Sequence, residues 1–349
     1  MADLKLLVLS ARDVHALLPY GECAELVAGA LAALARGEVY QPLRTMIQPP
    51  ALGGSSPAGL MVLMPSFRSG RGTTPDPDAA YSLKAICVFP GNPGLGKDAH
   101  QGVVLLSSPE TGEPQALINA SALTEIRTAA ASVVATRLLA RADATRLAII
   151  GTGVQARAHA IALAQDYEAR GRPLAGIRIA GRTPGRAAQV AGELTAAAGV
   201  PVRAAGSAAE AVAGADIVVT ATSSATPVLE RAWVADGTHI NAVGACLPHT
   251  RELDSSTMAA AVVFTDSRES ALAESGDVRL ALAEHSVPPV HIRAEIGELL
   301  TGTGSSPGRA GDRDITVFES LGLAAEDLAA AQGVYRKAAR LGAGTWVDF

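Results

Sequence analysis

Residues 147–164 read LAIIGTGVQARAHAIALA, a short apolar run followed by Gly151, Gly153 and Ala156 and then by an alanine-rich stretch with helical spacing. An isolated Gly-x-Gly pattern says little. Here a strand pattern precedes it, a helix pattern follows, and a second strand pattern ends at Gly181, which together specify a βαβ unit with a nucleotide turn. In that reading Gly151 permits the tight turn, and Gly153 lets the backbone approach a pyrophosphate at the helix N-terminus. Ala156 replaces a third glycine and keeps helix and strand close. The turn lies in the middle of the chain, so this unit cannot be the whole protein.

From about residue 145 strand and helix patterns alternate, with strand candidates RLAII, GIRIAGR, VRAAG, DIVVTAT, GTHINAVGA and AVVFTDS. The fold class expected is α/β: a doubly wound Rossmann domain over residues 123–315, joined to an α+β domain built from residues 1–122 and 316–349. Within the α+β part, AELVAGALAALARGE reads as a helix and PLRTMIQ, GLMVLMPSF and YSLKAICVF as strands. QGVVLLSSPETGEPQALIN reads as a hairpin turning at Glu110–Glu113, and residues 121–141 as a long helix. Stretches 51–59 and 69–78 read as loops and 301–314 as a flexible connector. FESLGLAAEDLAAAQGVYRKAARLG breaks the alternating rhythm and reads as one amphipathic helix, with Leu321, Leu323, Leu328 and Val334 on its apolar stripe, returning to the first domain.

The end of the second strand of the nucleotide unit indicates which cofactor is held. An acidic residue there would bind the two ribose hydroxyls of NAD. This chain has Gly181 at that position, then Arg182 and Thr183, with Arg186 one turn on. A guanidinium and a hydroxyl suit a 2′-phosphate, so NADPH rather than NADH is expected.

Composition excludes several other classes. The 349 residues carry a net charge of −5 with no basic block, which argues against a nucleic-acid partner. No apolar stretch reaches the roughly 18 residues of a membrane span, and the N-terminus lacks a signal-peptide pattern. Three widely separated cysteines support neither a disulfide framework nor a zinc spacing, and the seven histidines show no metal-ligand pattern. The expectation is a cytoplasmic, metal-free protein that is not bound to a membrane.

Three cations stand in apolar surroundings. Lys84 alternates onto the face of Ile86 and Val88, Arg127 shares a helix with Ala130, Ala131 and Val134, and Arg44 falls in PLRTMI. A buried unpaired cation costs several kcal/mol, so each requires an anion. None accompanies them locally in sequence, which leaves a distant protein carboxylate or a substrate carboxylate.

Over nearly its whole length the chain resembles the ornithine cyclodeaminase/μ-crystallin family, in YSLKAICVFPGN, LTEIRTAAASVVAT, GTGVQARAH, ADIVVTATSSATPVL, GTHINAVGACLPHTRELD, DSRESALAESGD and ITVFESLGLAAEDLAAA. The resemblance implies a homodimer whose first domain, completed by the C-terminal helix, binds substrate and forms the dimer contact. It implies that Arg44, Lys84 and Arg127 hold an amino- or imino-acid carboxylate, with Leu321 also at the substrate. It places Gly151, Gly153, Val154, Gln155, Gly181, Arg182, Thr183, Arg186, Thr222, Val243, Gly244, Ala245 and Ser320 at the cofactor, together with Arg127 and, as a μ-crystallin-type position, His100.

One departure bears on the reaction. Ornithine cyclodeaminases in this family carry Gly-Gly-Asp after the NAV strand, with a catalytic aspartate; here the segment is NAVGAC, with Cys246 at that position, and Thr250 where those enzymes have a lysine. A thiol with an ordinary pKa near ~8.5 cannot replace a carboxylate base at neutral pH. Lys84, Arg127 and Cys246 are the candidate catalytic positions, with Cys246 read as a small wall residue rather than a nucleophile. The activity expected is NADPH-dependent reduction of a 2-imino acid, such as pyrroline- or piperideine-2-carboxylate, to the L-amino acid. The alternatives are ornithine cyclodeamination or an amino-acid dehydrogenase reaction with NAD, and a non-catalytic carrier of a small carboxylate.

Overall fold

The computed structural model describes residues 5–50, 59–69, 78–304 and 308–349. The chain forms two compact units, Met1–Arg127 with Leu323–Phe349, and Thr128–Gly322. In chain order it begins β1 (Lys5–Leu9), α1 (Ala11–Leu17), α2 (Tyr20–Ala35), β2 (Val39–Tyr40), β3 (Thr45–Ile47), β4 (Leu60–Arg68) and β5 (Ala80–Val88). It continues β6 (His100–Ser107), β7 (Pro114–Asn119) and α3 (Ala120–Leu139). The alternating part is β8 (Arg146–Ile150), α4 (Val154–Ala169), β9 (Gly176–Ala180), α5 (Pro184–Ala198), β10 (Val202–Ala204), α6 (Ala208–Val212), β11 (Ile217–Thr220) and β12 (His239–Ala242). It ends with α7 (Ser255–Ala260), β13 (Val262–Thr265), α8 (Arg268–Glu274), α9 (Gly276–Ala283), β14 (Ile292–Glu295), α10 (Ile296–Thr301) and β15 (Thr316–Glu319). Two further elements, α11 (Ala324–Leu341) and β16 (Thr345–Asp348), close the chain.

The first unit is a sheet in the order β16-β1-β7-β6-β5-β4-β2, with β3 also paired to β4. Strands β4 to β7 form an antiparallel meander. Alternation puts Val62, Met64, Ser66 and Arg68 of β4 and Ala80, Ser82, Lys84 and Ile86 of β5 on the buried face. Helix α11 covers that face, packing on β4, β5, β6 and α2. Its first half is buried almost residue by residue from Ala324 to Gln332 and is mostly alanine, so the helix backbone lies close to its neighbours. A Cβ on Gly333 would stand 2.4 Å from a methyl of Leu26 in α2.

The second unit is a parallel sheet in the order β10-β9-β8-β11-β12-β15-β13-β14. Strands β11, β12 and β15 are buried at every position, as a sheet covered on both faces requires. The chain winds outward from β8 through β9 to β10, then resumes at β11 on the other side of β8, which makes the C-terminal ends of β8 and β11 the switch point where such sheets bind ligands.

The structure corrects several expectations. Residues 316–319 form β15 between β12 and β13, so they belong to the parallel sheet and not to the first unit. The divisions fall after Arg127 and after Gly322 rather than at 122/123 and 315/316. The strand β14 was not foreseen. The closing segment is not one helix: Phe318 and Glu319 are strand, and the helix starts only at Ala324. Leu321 therefore lies off the helix, packed in the core of the second unit. Arg44 precedes β3 instead of lying within it. Of the expected loops, 51–58 and 70–77 lie outside the described residues, as do 305–307 of the connector. The remainder of the connector is tied down: Arg309 donates to the carbonyls of Leu139, Gly237 and Asp314.

Removing residues 323–349 uncovers the buried face of β4 and β5. The truncated chain is expected to be insoluble on expression; a soluble protein with a cooperative melt would contradict the packing role of α11.

Candidate active site

The buried face of β5 carries a full charge. Lys84 is 1% exposed, and it meets no carboxylate near it in sequence. Its partner comes from α11: Lys84 Nζ lies 2.7 Å from Asp327 Oδ2. The same aspartate accepts from Arg127, whose Nε is 3.0 Å from Asp327 Oδ1, while Arg127 Nη1 lies 3.2 Å from Glu326 Oε2. The distant protein carboxylates left open by the sequence are these two. Both sit in the first turn of α11, where acidic residues ordinarily serve the helix dipole from the surface, and this is why sequence reasoning passed over them.

Burial disfavours the charged form of Lys84, and the nearby charges of Arg127 and Arg44 add to this; Asp327 opposes them, and the ammonium is left with a pKa lowered to about 8. Lys84 thus remains charged at neutral pH. The imidazole of His100, at the start of β6, is held below its ordinary value by desolvation and by the charges of Lys84 and Arg127. Arg44, Lys84, Arg127 and His100, far apart in sequence, are therefore close enough to feel one another electrostatically within one unit. Three of the four are cations at neutral pH, and two of them, Lys84 and Arg127, are paired with Asp327 and Glu326. This arrangement can hold an incoming anion.

In the second unit, the turn after β8 has the expected construction. Gly151 has φ +134°, and a Cβ there would stand 2.3 Å from the carbonyl oxygen of Ala221, so glycine is required twice over. Gly153 caps α4 without any side-chain hydrogen bond, and nothing lies within 4 Å of where its Cβ would be. The first N–H groups of α4, from Val154 and Gln155 onward, are thus uncapped beside open space, as a phosphate site needs. Ala156 is buried against the turn. At the end of β9, Arg182 is exposed and makes no ion pair or hydrogen bond among the described residues. Thr183 begins α5 without using its hydroxyl as a cap, and Arg186 bonds only outward to Gln189. The uncapped turn fits the pyrophosphate of a dinucleotide.

A carboxylate unnoticed in the sequence organises the neighbouring strand ends. Glu252, fully buried, accepts from Thr222 N at 2.6 Å, Gly244 N at 2.6 Å and the Thr220 hydroxyl at 2.9 Å. The backbone donors of Thr222 and Gly244 are consumed, so any contact these positions make with a cofactor must use their carbonyls or the Thr222 hydroxyl. Val243 N is likewise engaged by Thr220 O, and Ala245 O by Gly276 N. Ser320 is buried with its hydroxyl unpaired. Cys246 donates its thiol to Val243 O at 3.2 Å and approaches Ser320 O at 3.7 Å. Leu321, expected at the substrate, has its side chain committed to the core instead. Among the described residues no group of side chains is arranged to hold a metal ion, and no single helix is long and apolar enough to cross a membrane.

Comparison with known proteins identifies the family. Residues 5–341 match the model of the ornithine cyclodeaminase/mu-crystallin family. The chain belongs to that family. It is 36% identical over 347 residues to a Delta(1)-pyrroline-2-carboxylate reductase of Bacillus cereus, covering 99% of this chain and 100% of that one. It is 37% identical over 299 residues to ketimine reductase mu-crystallin of Mus musculus, covering 86% and 85% of the two chains. Among solved structures, Thermococcus litoralis Delta(1)-pyrroline-2-carboxylate reductase in complex with NADH and L-proline superposes with a TM-score of 0.88 at 35% identity, covering 97% of this chain and 99% of that one. The relatives are oxidoreductases acting on C=N bonds, which supports an imine-reducing chemistry on a Rossmann-type fold that binds a nicotinamide cofactor.

The buried lysine makes a testable signature. Its pKa is about 8 in the folded protein against about 10.4 when unfolded, so between those values the unfolded chain binds more protons and stability rises with pH. Urea unfolding at pH 7.5, 9 and 10 is expected to show a contribution on the order of 3 kcal/mol that grows across this window. Lys84→Met should remove that contribution; an unchanged pH dependence in the variant would assign it elsewhere.

Proposed function

We propose that this chain is an NADPH-dependent reductase of 2-imino acids, with cyclic ketimines such as pyrroline-2-carboxylate as substrates and L-amino acids as products. The observation that carries the reading is the convergence of Arg44, Lys84 and Arg127 in one unit, with a thiol instead of a carboxylate at position 246 in the other. In this reaction the imine carbon gains a hydride and the nitrogen a proton, so that C=N becomes CH–NH. The dihydronicotinamide supplies the hydride when bound. Arg44 and Arg127 hold the substrate carboxylate. Lys84 adds a third positive charge and keeps a proton on Nζ at neutral pH because Asp327 is beside it.

Cys246 serves as a small wall residue, its thiol hydrogen directed to the Val243 carbonyl. With its hydrogen held on the Val243 carbonyl the thiol is not a free base for an ornithine amine, so cyclodeamination is not part of the proposal. NADPH is favoured over NADH by Gly181 in place of an acidic residue and by the unengaged Arg182 and Thr183. The T. litoralis relative was crystallised with NADH, so this preference is argued from the residues of the present chain alone.

The protein is proposed to act in the cytoplasm as a homodimer. Met61, Tyr81 and Val103 stand 40%, 49% and 41% exposed on the face of the first sheet opposite α11. With Leu63, Leu83 and Leu105 between them, they form an apolar surface of the kind that a second copy covers.

Purified protein is expected to oxidise NADPH with pyrroline-2-carboxylate or piperideine-2-carboxylate and to release no ammonia from ornithine with NAD. Arg127→Ala should raise KM for the imino acid and lower kcat, cutting kcat/KM by roughly ten- to a hundredfold for loss of a charge-assisted anchor, with NADPH affinity changed far less. Imino-acid turnover left intact in that variant, or ammonia release matching reduction, would overturn the assignment. In sedimentation, Leu83→Glu should shift a dimer to monomer; a wild-type monomer would refute the assembly.

A further inference from the structure

The end of β9 holds a steric relation that the cofactor motif does not mention. Gly181 has no unusual backbone conformation, and its φ lies outside the left-handed region. Any residue could adopt it on backbone grounds. Yet a Cβ at this position would stand 2.7 Å from Cγ2 of Thr152, with Thr152 Oγ1 at 3.5 Å and Cβ at 3.7 Å. Real Cβ atoms do not approach carbon that closely, so one of the two must move. Thr152 lies in the turn between Gly151 and Gly153, where Gly151 is itself wedged against the Ala221 carbonyl and leaves the backbone little room. Threonine is also stiff at χ1: one rotation that removes the methyl brings the hydroxyl into its place, and the other moves both heavy groups into new positions in the turn.

We infer that Thr152 is a specificity-determining residue: its γ-methyl occupies the space that a side chain at position 181 would need, and so excludes the acidic residue that recognises the ribose diol of a non-phosphorylated dinucleotide. The inference deepens the NADPH reading and rests on it for its biological sense, although the steric lock can be tested without it. Arg182 and Thr183 supply attraction to a phosphate, and Thr152 blocks the opposite solution. Specificity built from an attractive and a repulsive element together is the general pattern where two ligands differ by one group. A change of cofactor preference in this chain then requires two positions to change, one of them in the glycine turn.

The test uses the full-length protein and four variants: Gly181→Ala, Thr152→Ser/Gly181→Ala, Gly181→Asp and Thr152→Ser/Gly181→Asp. Serine keeps the hydroxyl and removes only the offending methyl. Without cofactor, Gly181→Ala is expected to melt at least about 3 °C below wild type, the scale of a small overpacking in a protein of this size, and Thr152→Ser should restore at least half of that loss. Binding is read by quenching of protein or dinucleotide fluorescence. Gly181→Asp alone should weaken both NADH and NADPH, whereas Thr152→Ser/Gly181→Asp should move the ratio of their dissociation constants at least about tenfold toward NADH. A Gly181→Ala protein as stable as wild type, or a Gly181→Asp protein that switches to NADH as fully as the double variant, overturns the lock. Equal binding of the two cofactors by wild type would instead remove the NADPH reading, while the melting comparison would still decide the steric relation.

Discussion

The carboxylate of Asp327 is the contact on which the first unit depends. It holds Lys84 through one oxygen and Arg127 through the other, and all three side chains are shut away from water. An ammonium or guanidinium left alone in that position would cost several kcal/mol, more than a fold of ordinary stability can spare. The pairing therefore fixes more than two side chains. It obliges α11, some two hundred residues beyond α3 in sequence, to return to the sheet that the N-terminal third of the chain builds. The alanines around Asp327 let the helix come near enough for a short aspartate to reach.

At the strand ends of the second unit the same difficulty is met chiefly by backbone donors. Glu252 is buried as deeply as Lys84, but its oxygens take backbone N–H groups from the ends of β11 and β12 and the hydroxyl of Thr220. Behind it, Asp277 accepts from the N–H groups of Glu252 and Leu253, and Ser275 donates to Glu319. Among the described residues none of these three acids makes a direct ion pair, although the charge of Arg251 acts on Asp277. Burial pushes Asp277 up to about 7, and burial together with the charge of Asp277 holds Glu319 well above the usual carboxylate range. Hydrogen bonds from backbone N–H groups and hydroxyls take the place of salt bridges here, at the strand ends where a dinucleotide is proposed to lie.

How much of this could be read from sequence varied with the range of the interaction. The turn from Gly151 to Ala156 was legible because a positive φ at Gly151 and a small methyl at Ala156 leave a local trace in the sequence, even though the carbonyl that presses on Gly151 belongs to the distant Ala221. The alternating strands β8 to β13 were legible for the same reason, by period and turn residues. β15 was lost because Phe318 and Glu319 flow into a helix-like pattern, and only pairing with β12 and β13 marks them as strand. The three cations were recognised as needing anions, but the anions were invisible at short range. Glu326 and Asp327 open a helix, Glu252 follows an arginine near a turn, and each looks like a surface acid until the fold buries it. Leu321 misled in the opposite sense, since an apolar residue beside a helix pattern was given to the wrong core.

The charge arrangement also bears on what the first unit can select. Lys84 and Arg127 are already paired, so an arriving carboxylate does not quench naked charges; it shares them with Asp327 and Glu326. That lowers the affinity available to any anion, because part of the attraction is already satisfied. In return the cations are held charged and aimed before the ligand arrives, and the protein acids resist ligands that crowd extra negative charge against them. In the proposed reaction this favours a small monocarboxylate whose imine nitrogen carries a positive charge. The negative end then meets Arg44 and Arg127, and the positive end faces the field of the two acids instead of being repelled by three cations. A doubly anionic ligand gains from the cations but must also face Glu326 and Asp327. On the proposed function, the ion pairs that make the fold possible would also set the charge of the molecule that fits it.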